Sequence, residues 1–104
     1  MNRIPTHPGE VLLEEFLIPL GLSQAAFAKH LGVSPRHINE IVRQKRGLTP
    51  TMAWLFGQAF GTTPEFWLNL QIAYDLKVAK LAVGSKVERE VRSFLPSMPR
   101  LSHA

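Results

Sequence analysis

The side chains best suited to chemistry in this 104-residue chain lie in a basic stretch, residues 24–47, whose formal charges sum to +4. Arg36 and Glu40 are spaced i, i+4 within it, so a helix would place them on one face. An arginine can donate to O6 and N7 of guanine, and a carboxylate can accept from the amino group of cytosine. The stretch has the side chains for reading bases and the charge for contacting phosphates. The alternative is a solvated surface helix.

Two short helices joined by a tight turn must position these side chains, and the stretch from Gln24 to Arg43 has that pattern. Gly32 predicts a left-handed residue that ends the first helix. Ser34 followed by Pro35 predicts the capped start of the second. Three apolar residues share one face of this second helix: Ile38, Ile41 and Val42. The remaining polar face would then point outward. Because the major groove of B-DNA is about 12 Å wide and admits one α-helix, the pattern predicts a helix-turn-helix DNA reader.

The rest of the chain has further helix starts, at His7-Pro8, Thr49-Pro50 and Thr63-Pro64. We therefore expect an all-α, five-helix domain over residues 1–76. Residues 77–104 form a basic extension with a net charge of +4. We expect this extension to pause at Gly84-Ser85, to resume as a short helix and to end in a frayed segment. Pro19 and Gly21 are expected to end the first helix, which His7 would cap.

Several functional classes are disfavoured by what the sequence lacks. It contains no cysteine, so disulfides and thiolate metal sites are excluded, and a reducing cytoplasm fits. The histidines are scattered, and adjacent Glu14 and Glu15 diverge on a helix, so we expect no enzyme, no metal and no cofactor. No apolar run approaches the ~18 residues of a membrane span, so the expectation is a cytoplasmic protein with no membrane partner.

The motifs resemble a known family. The segment QAAFAKHLGVSPRHINEIVR resembles the helix-turn-helix of the Xre and phage-repressor superfamily, whose fold is lambda-repressor-like. The flanking HPGEVLLEEFL and EFWLNLQ extend the similarity to HigA (VapI-type) addiction-module antitoxins. The resemblance runs from His7 to about Tyr74.

By this resemblance and by charge, we assign candidate DNA contacts. The candidates for base contact are Pro35, Arg36, Asn39 and Glu40. The candidates for phosphate contact are Ser23, Gln24, His37, Arg43, Lys45 and Arg46. Pro35 departs from the family pattern, because proline cannot donate a hydrogen bond and offers only an apolar contact to a thymine methyl group.

The resemblance also implies a function, namely that of a DNA-binding antitoxin of a type II toxin-antitoxin module. Such a protein binds and silences a HigB-like toxin, an mRNA endonuclease. It also represses its own operon as a homodimer on a palindromic operator in double-stranded DNA. Two alternatives stay open: a stand-alone Xre-type transcriptional regulator without a toxin, and a protein-interaction module whose DNA face is idle.

The fifth helix has an unusually broad apolar face, which favours more than one neighbour. We take four of its residues as a candidate dimer interface: Phe66, Trp67, Leu70 and Tyr74. The alternative is that Phe66 and Trp67 complete the core of one chain.

Overall fold

A computed structural model describes residues 6–95 of the chain. Within that part there are five helices and no strand. The helices are α1 (Pro8–Leu20), α2 (Gln24–Leu31), α3 (Pro35–Val42), α4 (Pro50–Phe60) and α5 (Pro64–Glu90). The predicted all-α fold with five helices is therefore confirmed. The predicted frayed C-terminal end, SMPRLSHA, lies outside the described residues.

Every helix begins with a side-chain cap, and the sequence predicts the helix starts at His7, Ser34, Thr49 and Thr63. His7 Nδ1 accepts a hydrogen bond from the backbone N–H of Gly9 at 2.9 Å. Hydroxyl groups accept from the N–H three residues further on at the other four helix starts, which are Ser23, Ser34, Thr49 and Thr63. A proline occupies the first position of α1, α3, α4 and α5, where its missing N–H costs nothing. These caps fix where each helix starts.

The middle of α1, Leu12–Leu17, is a π-helix. Its wider turn brings residues spaced i, i+5 onto one face, and Leu12 and Leu17 are both buried. Pro19 does not end the helix, contrary to expectation: it lies within the last turn, Ile18–Leu20, and Gly21 with φ of 62° ends it. A proline is tolerated there because the backbone ladder already departs from the α-helical pattern.

The core is an aromatic cluster that α5 closes. Trp67 has no exposed surface and its ring lies 5.0 Å from that of Phe56 and 5.3 Å from that of Phe16. Its indole N–H donates to Thr62 Oγ1 at 2.7 Å, so the polar atom of the side chain is satisfied. The core residues packed between the five helices include Phe27, Ile38, Ile41, Met52 and Ala53.

The last helix is longer than the sequence predicts. It continues for 27 residues through Gly84 and Ser85, so the expected pause is not observed. One glycine costs about 1 kcal/mol in a helix interior, which the flanking helix-forming residues offset. Apart from Gly84, every residue from Val78 to Leu95 is exposed, and the molecule measures 55 × 24 × 23 Å. The distal part of α5 therefore projects from the helical body.

Within residues 6–95, no single helix is long and apolar enough to cross a membrane, and one bent pair, Pro8–Leu20 with Gln24–Leu31, meets that test only by length and composition.

The N-terminus of α1 packs directly against the C-terminal end of α3. A Cβ atom added at Gly9 would overlap the carbonyl oxygen of Ile41. Because backbone atoms cannot move aside as a side chain would, glycine is required at this crossing. This contact fixes α3 from behind, on the side away from its exposed polar face.

We expect Gly9→Ala to lower the free energy of unfolding by about 3 kcal/mol, since overpacking against backbone is costly. Gly84→Ala is the matched control. There a Cβ would meet the flexible Lys80 side chain, so the same substitution should stabilise the helix by up to about 1 kcal/mol. Urea unfolding measures both. A Gly9→Ala midpoint equal to the wild-type midpoint would contradict this account of the α1–α3 contact.

Candidate nucleic-acid interface

The corner between α2 and α3 is built from backbone hydrogen bonds. Gly32 has φ of 75°, and its N–H donates to the carbonyl groups at the end of α2. The N–H of Val33 donates to the carbonyl oxygen of Ala28 at 3.0 Å. This pairing is a helix C-cap closed by a left-handed glycine. It holds α3 at a fixed angle against α2, which is the arrangement of a helix-turn-helix.

The apolar face of α3 is buried and its polar face is exposed. Ile38 and Ile41 have no exposed surface, whereas Pro35 and Asn39 are exposed. The side chain of Arg36 is 86% exposed and that of Glu40 24%. Four predicted base-contact residues therefore lie on the outer surface of α3, accessible to a ligand that covers this face.

Glu40 joins two arginines. Its Oε2 accepts from Arg36 Nε at 3.1 Å, and its Oε1 lies 2.8 Å from Arg46 Nη2. The hydrogen bond from Arg36 lowers the pKa of Glu40, and the charge of Arg46 lowers it further. The carboxylate is consequently ionised at neutral pH, and one negative charge lies between two positive ones.

A second pair joins the two helices of the motif. Asn39 Nδ2 donates to Gln24 Oε1 at 3.1 Å. With its oxygen engaged, Gln24 has its amide N–H groups to offer to another acceptor. Gln24 is the first residue of α2, and a helix N-terminus favours an anion. This geometry is compatible with the predicted phosphate contact of Gln24. The hydrogen bond from Asn39 on α3 orients the Gln24 side chain.

His37 is less suited than its neighbours to contact a phosphate. Its Nε2 is enclosed and has no hydrogen-bond partner among the described residues. Burial lowers the pKa of His37, and the charge of Arg46 lowers it further, against the opposing effect of Glu40. The ring is therefore neutral at pH 7, and only Nδ1 is available for a contact.

The basic turn after α3, Arg43 to Gly47, is exposed. Gln44 adopts a left-handed conformation with φ of 62°, and the N–H of Lys45 donates to the carbonyl oxygen of Glu40 at 2.8 Å. These features end α3, and the ion pair with Glu40 places the Arg46 side chain of the turn beside the outer face of the helix.

Gln71 anchors the turn from α5, and sequence reasoning missed it. This buried side chain accepts from the backbone N–H of Leu48 at 2.9 Å and donates to Asp75 Oδ1 at 3.0 Å. A Cβ added at Gly47 would touch its amide group. The available signal was a lone polar residue within the otherwise apolar face of α5.

The predicted dimer residues are mostly occupied within the chain. Trp67 is fully buried, so its assignment to an interface is wrong, because no surface remains for a partner. Tyr74 is partly buried and packs edge to face on the ring of His7 at 4.8 Å. Leu70 is also partly buried, whereas Phe66 is 40% exposed. The alternative, in which Phe66 and Trp67 complete the core of one chain, holds for Trp67 and not for the exposed Phe66.

Within the described part of the chain, no group of three or more histidine, aspartate or glutamate residues could hold a metal ion. The exposed chemistry of α3 and the following turn consists of hydrogen-bond donors and positive charge, with one shared carboxylate. Such a surface suits an anionic partner with exposed base edges.

Comparison with known proteins defines the class. The chain matches the helix-turn-helix family over residues 13–67. Virulence-associated protein I of Dichelobacter nodosus is 54% identical over 80 residues, covering 76% of this chain and 74% of that protein. A protein of Haemophilus influenzae named as an HTH-type transcriptional regulator is 46% identical over 76 residues, covering 73% and 71%.

Similar solved structures identify the type of helix-turn-helix protein. The Pseudomonas aeruginosa antitoxin HigA, solved with the higBA promoter, superposes with a TM-score of 0.84 at 44% identity over 88% of this chain and 99% of that one. An antidote protein of the HigA family from Coxiella burnetii gives 0.83 at 42% identity over 88% and 100%. The chain belongs to the helix-turn-helix family of DNA-binding proteins, within which it is a HigA/VapI-type member. This family consists of DNA-binding antitoxins and regulators and not of enzymes.

Proposed function

We propose that this protein is a sequence-specific DNA-binding antitoxin that represses its own operon and neutralises a HigB-like mRNA endonuclease toxin. The observation that carries the DNA-binding part is the outer face of α3, on which Arg36 is 86% exposed while the apolar face is buried. The DNA partner is a palindromic operator in double-stranded DNA.

In this proposal, the outer face of α3 enters the major groove, where Arg36 donates to a guanine. Asn39, Glu40 and Pro35 lie beside it on the same face. The backbone of the DNA is contacted by side chains before and after α3, namely Ser23, Gln24, Arg43, Lys45 and Arg46. His37, on α3 itself, joins them through Nδ1 alone. Phosphate contacts position the helix, and base contacts give the specificity.

A mobility-shift titration tests the DNA-binding part. The probe is the DNA immediately upstream of the gene, and a scrambled duplex of equal length and composition is the competitor. Sequence-specific binding should exceed non-specific binding by at least about 1000-fold at physiological salt. Equal affinity for both duplexes would overturn the proposal.

The toxin partner is supported by the kinship with HigA antitoxins. Co-expression tests it: the neighbouring reading frame is induced alone and together with this protein, and growth is followed. Growth arrest that this protein relieves is the expected result. A neighbouring frame without toxicity would favour the second candidate, a stand-alone Xre-type regulator, which the kinship with the Haemophilus influenzae regulator supports.

A homodimer is part of the proposal because a palindromic operator requires two copies of α3. We place its interface on the outward stripe of α5, defined as Ile72, Leu76, Val83 and Val87. These side chains are 55%, 66%, 48% and 47% exposed. At 100° per residue they lie on the side of α5 opposite to Trp67 and Gln71. The four interface residues predicted from sequence lie on the core-facing side of α5 or at its border: Phe66, Trp67, Leu70 and Tyr74.

The spacing of the outward stripe makes it self-complementary. If a second copy packs antiparallel, Ile72 meets Val87 of the other copy and Leu76 meets Val83, and both pairs share one two-fold axis. The same axis brings Asp75 near Lys86 of the other copy, since both residues flank the stripe on one side. One antiparallel arrangement therefore pairs apolar residues with apolar residues and opposite charges with each other, as an isologous interface requires.

We expect Leu76→Lys to weaken dimerisation at least about tenfold, because it places a charge in an apolar contact. The matched control is Leu81→Lys, on the other side of α5, where the side chain is 57% exposed. Sedimentation velocity over a concentration series measures the dimer fraction. Asp75→Lys should also weaken the dimer, and adding Lys86→Asp should restore it. A wild-type monomer at all concentrations, or equal effects of Leu76→Lys and Leu81→Lys, would contradict this interface.

A further inference from the structure

Glu40 uses both of its carboxylate oxygens within the chain. Arg36 occupies Oε2 through its Nε atom at 3.1 Å, and Arg46 occupies Oε1 through Nη2 at 2.8 Å. Arg36 lies in the first turn of α3, whereas Arg46 lies in the turn that follows the helix. One carboxylate therefore links the residue proposed to read a base with a residue proposed to contact the backbone.

The atoms involved determine what Arg36 can still do. A guanidinium group has five N–H donors in a planar fork. Since Nε–H is directed to Glu40, the two Nη groups at the far end of the fork have their donors to offer outward. A pair of parallel donors is what O6 and N7 of guanine accept. The contact to Glu40 thus restrains the arginine in an orientation that suits bidentate recognition.

A structural role alone does not account for this arrangement. Arg36 is highly exposed, and exposed ion pairs contribute little to stability. The order along the helix, with arginine before glutamate, is also the less favourable one for an i, i+4 pair. A carboxylate on a DNA-binding face moreover repels phosphates. Stability therefore gains little from the pair of Arg36 with Glu40, whereas in binding a restrained side chain loses less entropy.

We propose that Glu40 is a positioning residue that orients Arg36 and Arg46 together and so couples base reading to backbone contact. This inference rests on the proposed operator binding. It differs from a direct base contact by Glu40, in which the carboxylate accepts from cytosine independently of Arg36. It also differs from a purely repulsive charge, whose removal strengthens binding to every duplex.

Four variants separate these roles: Glu40→Gln, Glu40→Asp, Arg36→Ala and the double variant that combines Arg36→Ala with Glu40→Gln. Affinity is measured for the upstream duplex and for the scrambled duplex at one salt concentration. Thermal melts verify that each variant is folded, as expected for changes at the surface. Glutamine removes the charge, whereas aspartate keeps the charge but shortens the reach to the two arginines.

Glu40→Gln should lower the preference for the upstream duplex roughly tenfold while raising affinity for the scrambled one, because a negative charge is lost. Glu40→Asp should lower the preference similarly without that rise. In the Arg36→Ala background, Glu40→Gln should cost much less than in wild type. Equal costs in the two backgrounds, or an unchanged preference in Glu40→Gln, would overturn the positioning role. A wild-type protein with no preference would instead overturn the proposed operator binding.

Discussion

Arg36→Ala is expected to lower affinity for the operator by roughly 10- to 100-fold, since a bidentate arginine–guanine contact contributes about 1–3 kcal/mol of discrimination. Binding to scrambled DNA should fall much less, because only one of many cationic groups is lost. Arg36 is 86% exposed, so its removal leaves the core intact. Fluorescence anisotropy with both duplexes measures the effect.

Arg92→Ala is the matched control for this prediction. It removes the same charged group from an exposed position after α5, distant in sequence from the helix-turn-helix. The control should keep the operator preference of wild type. If both variants lose operator and scrambled binding equally, Arg36 contributes charge only and α3 does not read bases through it.

Trp67→Ala is expected to have the largest effect on stability. The side chain has no exposed surface, packs against Phe16 and Phe56 and satisfies its indole N–H on Thr62. Removing such a residue costs about 3–5 kcal/mol. For a domain of this size, we expect the melting temperature to fall by roughly 15 °C or more. Circular dichroism melts measure it.

The control for Trp67 is the other tryptophan. Trp54 lies on α4 with 66% of its surface exposed, so Trp54→Ala should change stability by only about 0.5 kcal/mol, as surface substitutions do. Similar melting temperatures for the two variants would contradict the burial of Trp67 in the core. The same comparison tests whether Trp67 packs in the core of one chain and not in a dimer interface.

Local signals predicted the parts of the fold that depend on neighbouring residues in sequence. A hydroxyl residue caps each of α3 to α5, and Gly21 and Gly32 adopt positive φ at the helix ends that the sequence predicts. The apolar residues of α3 recur at helical spacing and so define one buried face and one exposed face. The exposure of Arg36 was therefore predictable from the sequence as well. These features need no knowledge of tertiary contacts.

The features that were missed depend on residues distant in sequence. Gln71 reaches Leu48, 23 residues away, and Asn39 reaches Gln24, 15 residues away. No local pattern specifies such pairs. The length of α5 was underestimated because Gly84 reads locally as a break, although its neighbours sustain the helix. Likewise, a broad apolar helix face does not reveal which of its sides meets the core, and Trp67 was therefore assigned to the wrong surface.

The central claim, that α3 reads bases in the major groove, is tested most directly by methylation interference on the upstream duplex. Methyl groups at guanine N7 lie in the major groove, where they block an arginine donor. We expect interference at a few guanines in two clusters about one helical turn apart, and relief at one guanine per cluster with Arg36→Ala. Binding that is insensitive to N7 methylation throughout the duplex would contradict the account.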